Sequence, residues 1–231
     1  MRRSARVATA LPWLYFKGIS SGDLGEALEV LVGEGAKGLS PAALGLLKAQ
    51  WSEEYQGWTR RSLGGKEYAY FWVDGIYTPL RESEDPKLCL LGIIGVTADG
   101  TKEWVAIADG LRESTESWLD VVRDLKERGL KAGPRLAVGD GALGFWSAVE
   151  QVYPETAHKR CWFHKLGNVL AALPKSLQGK AKADLQAIWM APTRKAAEQA
   201  FARFLSRYGA KYPNATEKLV RDCDALLAFF A

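Results

Sequence analysis

Cysteine and histidine are scarce in this chain of 231 residues, with three of the former and two of the latter. Cys89, Cys161 and Cys223 are widely spaced and odd in number, which excludes a disulfide framework and points to a reducing compartment. Cys161 and His164 have metal-ligand spacing, but His158 is the only other histidine, so no second pair completes a zinc tetrad. Long apolar runs are also missing. The longest, Leu88 to Val96, falls well short of the ~20 residues that a spanning helix needs. The start, Met1-Arg2-Arg3-Ser4-Ala5-Arg6, is basic, yet Pro12, Lys17 and Gly18 interrupt the next stretch, so no clean signal peptide is present. A cytoplasmic protein is expected. No Ser-His-Asp arrangement, phosphate loop or dinucleotide fingerprint occurs, which removes the commonest hydrolase and nucleotide-binding readings.

The composition is that of an ordinary globular protein, 48% hydrophobic and 25% charged, in a chain long enough for one large domain or two small ones. The net charge of +4 and a pI near 8.9 permit a nucleic-acid partner without demanding one. The informative feature is the placing of Asp-Gly pairs, ordinarily turn dipeptides because both residues tolerate positive φ. Asp99-Gly100 separates Leu88 to Val96 from the strand-like Glu103 to Ala108, as a hairpin turn should, and Asp109-Gly110 closes that second strand. Asp74-Gly75 instead lies inside Tyr68 to Tyr77, which reads as a continuous strand buried on both faces. Asp140-Gly141 ends the apolar strand Arg135 to Val138, just before a helix starting near Ala142.

Residues 22–57 read as a small helical unit. Asp23 to Val32 forms one helix, stopped by Gly33 and Gly35, and Ser40-Pro41 opens a second with Ser40 as N-cap and Pro41 at the first helical position. Leu44, Leu47 and Trp51 give the second helix an apolar stripe. The pair, within residues 1–63, is either a helix-turn-helix-like DNA-binding region or a plain helical hairpin. Gly64-Gly65 then reads as a linker.

Residues 66–165 read as an α/β domain. Strands near 68–80, 88–98 and 102–109 form an antiparallel meander, followed by a helix from Thr115 to Arg128 with Trp118, Val121, Val122 and Leu125 on one face. A crossover of this kind brings the fourth strand back parallel to an earlier one. A second helix runs from Ala142 to Val152, and His158 to Phe163 supplies a fifth strand. This order is that of a ribonuclease-H-like core, a five-stranded mixed sheet with helices. Residues 166–231 are helical throughout, as Leu166 to Leu173, Leu177 to Met190, Thr193 to Tyr208 and Ala215 to Phe230, separated by Pro174, Pro192 and Pro213.

In that order Asp74 and Asp140 come together on neighbouring strands. Two such carboxylates are held as anions by a hard cation, Mg²⁺ or Mn²⁺, and metal ions so placed activate water or a 3′-hydroxyl for phosphoryl transfer on nucleic acid. Plainer readings stand beside this one. Asp140 caps the following helix, and Asp74 sits at a bulge with Gly75 making the bend. The segment Arg160 to Lys165 is either a buried Cys with a His at a strand end, or places Arg160, His164, Lys165 and Asn168 near phosphate.

The blocks Tyr70 to Tyr77, Val138 to Trp146, Arg160 to Lys165 and Asn168 to Leu170, with Leu11 to Tyr15 and Tyr208 to Pro213, closely resemble those of bacterial Mutator-type insertion-sequence transposases. The resemblance implies a DDE transposase that cuts and joins DNA with two Mg²⁺ ions. Asp74 matches the first acid and Asp140 the second, both as catalytic residues and metal ligands, and Cys161 and His164 match the family's C-x-x-H motif. The helices after Lys165 match the insertion that precedes the family's third acid, a Glu in an Asn-Pro-Ile-Glu-Ser-like block. No such block occurs here, and Glu198 and Glu217 fall inside the insertion. The resemblance therefore also implies a truncated chain, inactive by itself, or alternatively a DNA-binding or dimerising derivative that modulates an intact transposase. The implied partners are double-stranded DNA (the element's terminal inverted repeats and its target) and a second copy in a homodimer, at the bacterial nucleoid and not at a membrane.

Overall fold

The computed structural model describes residues 41–77, 88–141 and 143–230, together with Glu29. The chain divides between Arg61 and Ser62 into two compact units. In the first, helix α1 spans Pro41–Thr59. Leu47 and Trp51 are half-buried on it, while Leu46 is exposed. Arg61 closes its end: the guanidinium lies over the Trp58 ring and donates to the Trp58 carbonyl at 2.8 Å, satisfying one of the carbonyls a helix terminus leaves open. The expected helix over Asp23 to Val32, its glycine turn and the Ser40 cap lie outside the described residues.

The second unit is an α/β fold around a mixed sheet of five strands in the order β3-β2-β1-β4-β5. The strands are β1 (Tyr70–Tyr77), β2 (Leu88–Val96), β3 (Lys102–Leu111), β4 (Leu136–Gly139) and β5 (Ala157–Arg160). β1, β2 and β3 form the expected antiparallel meander. Its tight turn is fixed by Asp99, whose carboxylate accepts from the Thr101 amide at 3.2 Å, and by Gly100 at φ +86°. The crossover helix α2 (Thr115–Glu127) returns the chain so that β4 runs parallel to β1, and α3 (Leu143–Val152) does the same for β5 beside β4. Ser114 caps α2 by accepting from the Ser117 amide at 3.1 Å, and Gly129, at φ +101°, stops it. The buried face of α2, Trp118, Val121, Val122 and Leu125, packs with Phe145, Ala148 and Val149 of α3 on Phe71, Val73, Leu91 and Ile93 of the sheet.

Two expectations for the sheet are corrected. β1 is buried on one face only: Phe71 and Val73 are covered, whereas Trp72, Asp74, Ile76 and Tyr77 are exposed. Its aromatic residues misled because aromatic rings also shelter one another on an open face. Tyr70 and Trp72 meet edge-on at 5.5 Å, and Lys102 lies 4.6 Å over the Trp72 ring. The fifth strand ends at Arg160 instead of running to Phe163. Cys161 is already the N-cap of the next helix, and Trp162 turns inward to donate from Nε1 to the Leu226 carbonyl at 3.1 Å.

The remaining helices are α4 (Trp162–Leu170), α5 (Lys175–Trp189), α6 (Arg194–Tyr208), α7 (Pro213–Val220) and α8 (Cys223–Leu227), the last running into a 3-10 turn at Ala228–Phe230. They enclose a second apolar cluster that includes Trp162, Val169, Leu185, Ile188, Phe201, Phe204, Leu219 and Leu226. The single helix expected over Ala215 to Phe230 is broken at Arg221 and Asp222.

Candidate active site

β1 and β3 both run antiparallel to β2, and β4 and β5 run parallel to β1, so the C-terminal ends of these four strands share one edge of the sheet. Ligand and catalytic groups of α/β sheets collect at such an edge. Asp74 lies towards that end of β1, and Asp140 immediately follows β4. The pairing Trp72↔Val138, carried forward by the same step on both strands, sets Asp74 level with Asp140. Both line one small cleft with Val73, Glu113, Trp118, Gly139, Phe145 and Trp146. Asp74 is exposed and Asp140 half-buried. Asp74 is not a bulge residue: β1 pairs β2 without interruption, Asp74 facing Gly92, and the irregularity in this sheet lies at Ile93/Ile94 in the pairing of β2 with β3. The start of α3 next to Ala142 lies outside the described residues, which leaves the capping role of Asp140 there.

Glu113, which sequence reasoning missed, is the third carboxyl of this cleft. It stands between the end of β3 and the Ser114 cap of α2, after Arg112 at φ +68°. Burial raises its carboxyl from the ordinary 4.5 to about 7, with Asp140 and then Asp74 adding like-charge repulsion. The chain is shaped to seat it. A Cβ on Gly75 would run into the Glu113 carboxyl, and one on Gly144 would lie 2.5 Å from the Glu113 carbonyl oxygen. Gly75 thus makes room for a side chain and not for a bend. The signal was available in principle, since strand topology alone puts the end of β3 at the same edge as Asp74 and Asp140.

The donor set is oxygen only, which suits a hard divalent cation. Among the described residues no three Asp, Glu, His or Cys side chains converge closely enough to enclose a metal. Two carboxylates suffice for Mg²⁺, which keeps several waters and takes further oxygens from substrate phosphates. Asp74 and Asp140 fit that pattern.

Beside Asp140, Gly141 adopts φ +97°, and a Cβ on it would fall on the Arg160 guanidinium. Arg160 ends β5 level with Gly139, and the Cys161 amide donates to the Gly139 carbonyl at 2.6 Å. Its Nε lies 3.1 Å from Asp222 Oδ2, at ion-pair distance without hydrogen-bond alignment. Lys165 is turned inward, 2% exposed, with Nζ donating to the same Asp222 oxygen and, at 2.9 Å, to the Lys218 carbonyl. Desolvation pulls its ammonium below the ordinary range while Asp222 opposes it. Lys165 is therefore a buried ion-pair partner and has no open face for phosphate. Cys161 and His164 stand one helical turn apart at the start of α4, and His164 is half-buried with Nδ1 unpartnered among the described residues. Asn168 is exposed. His158 stacks on Trp146 at 4.6 Å, its burial keeping the ring below its ordinary pKa.

Residues 1–231 match the model of the Mutator family of transposases. The chain is 54% identical over 212 residues to the transposase for insertion sequence element IST2 of Acidithiobacillus ferrooxidans, covering 89% of this chain and 69% of that one. It is 50% identical over 224 residues to the transposase for IS6120 of Mycolicibacterium smegmatis, covering 97% and 68%, and 28% identical over 231 residues to that for ISRM5 of Rhizobium meliloti, covering 99% and 57%. No described helix is long and apolar enough to cross a membrane. This chain belongs to the Mutator family of transposases.

Proposed function

We propose that residues 66–165 form a ribonuclease-H-like catalytic core, that residues 166–231 are an all-helical insertion into it, and that Asp74 and Asp140 hold the divalent metal, Mg²⁺ or Mn²⁺, of a DNA strand-cleavage and strand-transfer site. The observation that carries this is that Asp74 in β1 and Asp140, just past the end of the adjacent parallel strand β4, line one cleft. The sheet order β3-β2-β1-β4-β5, three antiparallel strands followed by two parallel ones, supports the core assignment.

When bound, the metal lowers the pKa of an attacking water or 3′-hydroxyl and offsets charge on the leaving oxygen. The protein does the rest by placement. Asp74, open to solvent, and Asp140, half-buried, offer oxygens within one cleft, where a phosphodiester supplies the rest. Glu113, which gains its proton near neutral pH, sits beside them without adding a full third charge. Arg160, His164 and Asn168, at the end of β5 and along α4, are placed to meet the phosphates of a strand laid across that edge, and residues 1–63 supply further contacts to double-stranded DNA. Joining two terminal inverted repeats to a target calls for two copies of the chain acting as a homodimer.

The test is metal-dependent nicking of a duplex carrying the element's terminal inverted repeat. Asp74→Asn and Asp140→Asn are each expected to cut nicking at least a hundredfold while leaving duplex binding within about threefold. Nicking that survives both substitutions together would overturn the assignment.

A further inference from the structure

We propose that Asp222 is a positioning residue for DNA contact: it holds Arg160 against the Asp140-Gly141 turn, so that the guanidinium faces a phosphate of the strand bound at the acids. The inference rests on the reading that Asp74 and Asp140 act on DNA.

Asp222 occupies the N-cap position of α8, where an aspartate ordinarily accepts from the amides of the first turn. It makes no such bond. Its carboxylate instead lies against Lys165 Nζ and, at 3.1 Å, Arg160 Nε, with Arg221 Nε 3.6 Å from its other oxygen. The helix expected over Ala215 to Phe230 is interrupted at this residue, where the carboxylate turns to Lys165 and Arg160. Lys165 makes this arrangement stiff. Buried and also bonded to the Lys218 carbonyl, it has nowhere else to go, and it fixes Asp222, which in turn fixes Arg160. At the other end Gly141 leaves room for the guanidinium that no other residue type would leave.

The charges do not balance. One carboxylate faces Arg160, Lys165 and Arg221, which leaves an excess of positive charge. That excess borders an open cavity of about 640 Å³ whose charged lining is Lys159, Arg160 and Arg221 against Asp222 and Asp224, with Gly141 and Trp146 beside them. A cavity so charged, next to two acids that need a phosphate to complete a metal site, suits a phosphodiester of the DNA backbone. Arg160 is the group that meets it, and Asp222 aims Arg160 without touching the DNA.

The test is fluorescence anisotropy of a labelled inverted-repeat duplex titrated with the full chain at several salt concentrations. Asp222→Asn would strand a buried Lys165 charge, so the informative variant is Lys165→Met/Asp222→Leu, which removes both charges together and whose folding is checked by thermal melting. Arg160→Gln is expected to weaken binding about tenfold and to lower the salt slope by about one phosphate contact, ~0.9. The Lys165→Met/Asp222→Leu variant is expected to do the same while folded, and adding Arg160→Gln to it is expected to cost nothing more. Lys165→Met alone, which loosens Asp222 but leaves it beside Arg160, is expected to lower the slope by less than the double variant does. An unchanged affinity and slope in the folded double variant, with Arg160→Gln still defective, would overturn the role of Asp222 and leave the DNA reading standing. A wild-type chain that binds no duplex would overturn both.

Discussion

Asp74 and Asp140 were legible in the sequence because each stands at an Asp-Gly pair that a turn does not explain. Burial on both faces is not what sets Asp74 apart, since β1 is open on the face that carries it. Glu113 stayed hidden for a physical reason: it lies in a polar link with no periodicity, and only the topology brings it over Gly75. Its raised carboxyl carries a pH dependence. The folded chain binds this proton more tightly than the unfolded one, so the stabilisation is fully present below pH 4.5 and is lost as pH rises through about 7. Glu113→Gln is expected to match the wild type in melting temperature at pH 5 and to exceed it at pH 8, as measured by circular dichroism. Gly75→Ala, which pushes the carboxyl out of the cleft, is expected to flatten the same pH profile. A Gly75→Ala profile as steep as the wild type's would show that Glu113 does not depend on that space.

The strands of the meander, the crossover helix and the parallel return of β4 arise from hydrophobic period and turn chemistry, and so could be read directly. Local caps carry much of this definition. Ser114→Ala is expected to cost about 1 kcal/mol in urea unfolding, because the Ser117 amide loses its partner. Element ends set by distant contacts were not legible. His158 to Phe163 reads as a strand, yet Trp162 begins α4 because its indole reaches the Leu226 carbonyl, sixty-four residues away. Trp162→Phe, which keeps the ring and removes that donor, is expected to cost about 1–3 kcal/mol by the same measurement, because a buried carbonyl is left unpaired. The break between α7 and α8 is likewise invisible locally; it falls where Asp222 meets Lys165 and Arg160, contacts made across the fold.

Within residues 62–231, the sheet and the helices after it have separate apolar clusters. They are joined at β5, where Arg160 pairs with Asp222 and Lys159 lies 4.2 Å over the Phe229 ring. Composition and charge gave no hint of this joint, because such ties depend on which charges the fold buries together. Asp222→Ala leaves a buried ammonium unpaired and is expected to cost about 3–5 kcal/mol, seen as a shift of the urea midpoint. Restoring stability with Lys165→Met in the same chain would show that the cost was the stranded charge.

Whether Asp74 and Asp140 serve one metal site is decided by Mn²⁺ titration of the chain followed by electron paramagnetic resonance. Asp74→Asn and Asp140→Asn are each expected to weaken Mn²⁺ binding by at least tenfold. The double variant is expected to abolish the binding that remains, because both carboxylates hold the same ion. Two bound Mn²⁺ ions of which each substitution removes only one, or Mn²⁺ binding unchanged by either substitution, would show that the two acids do not share a metal.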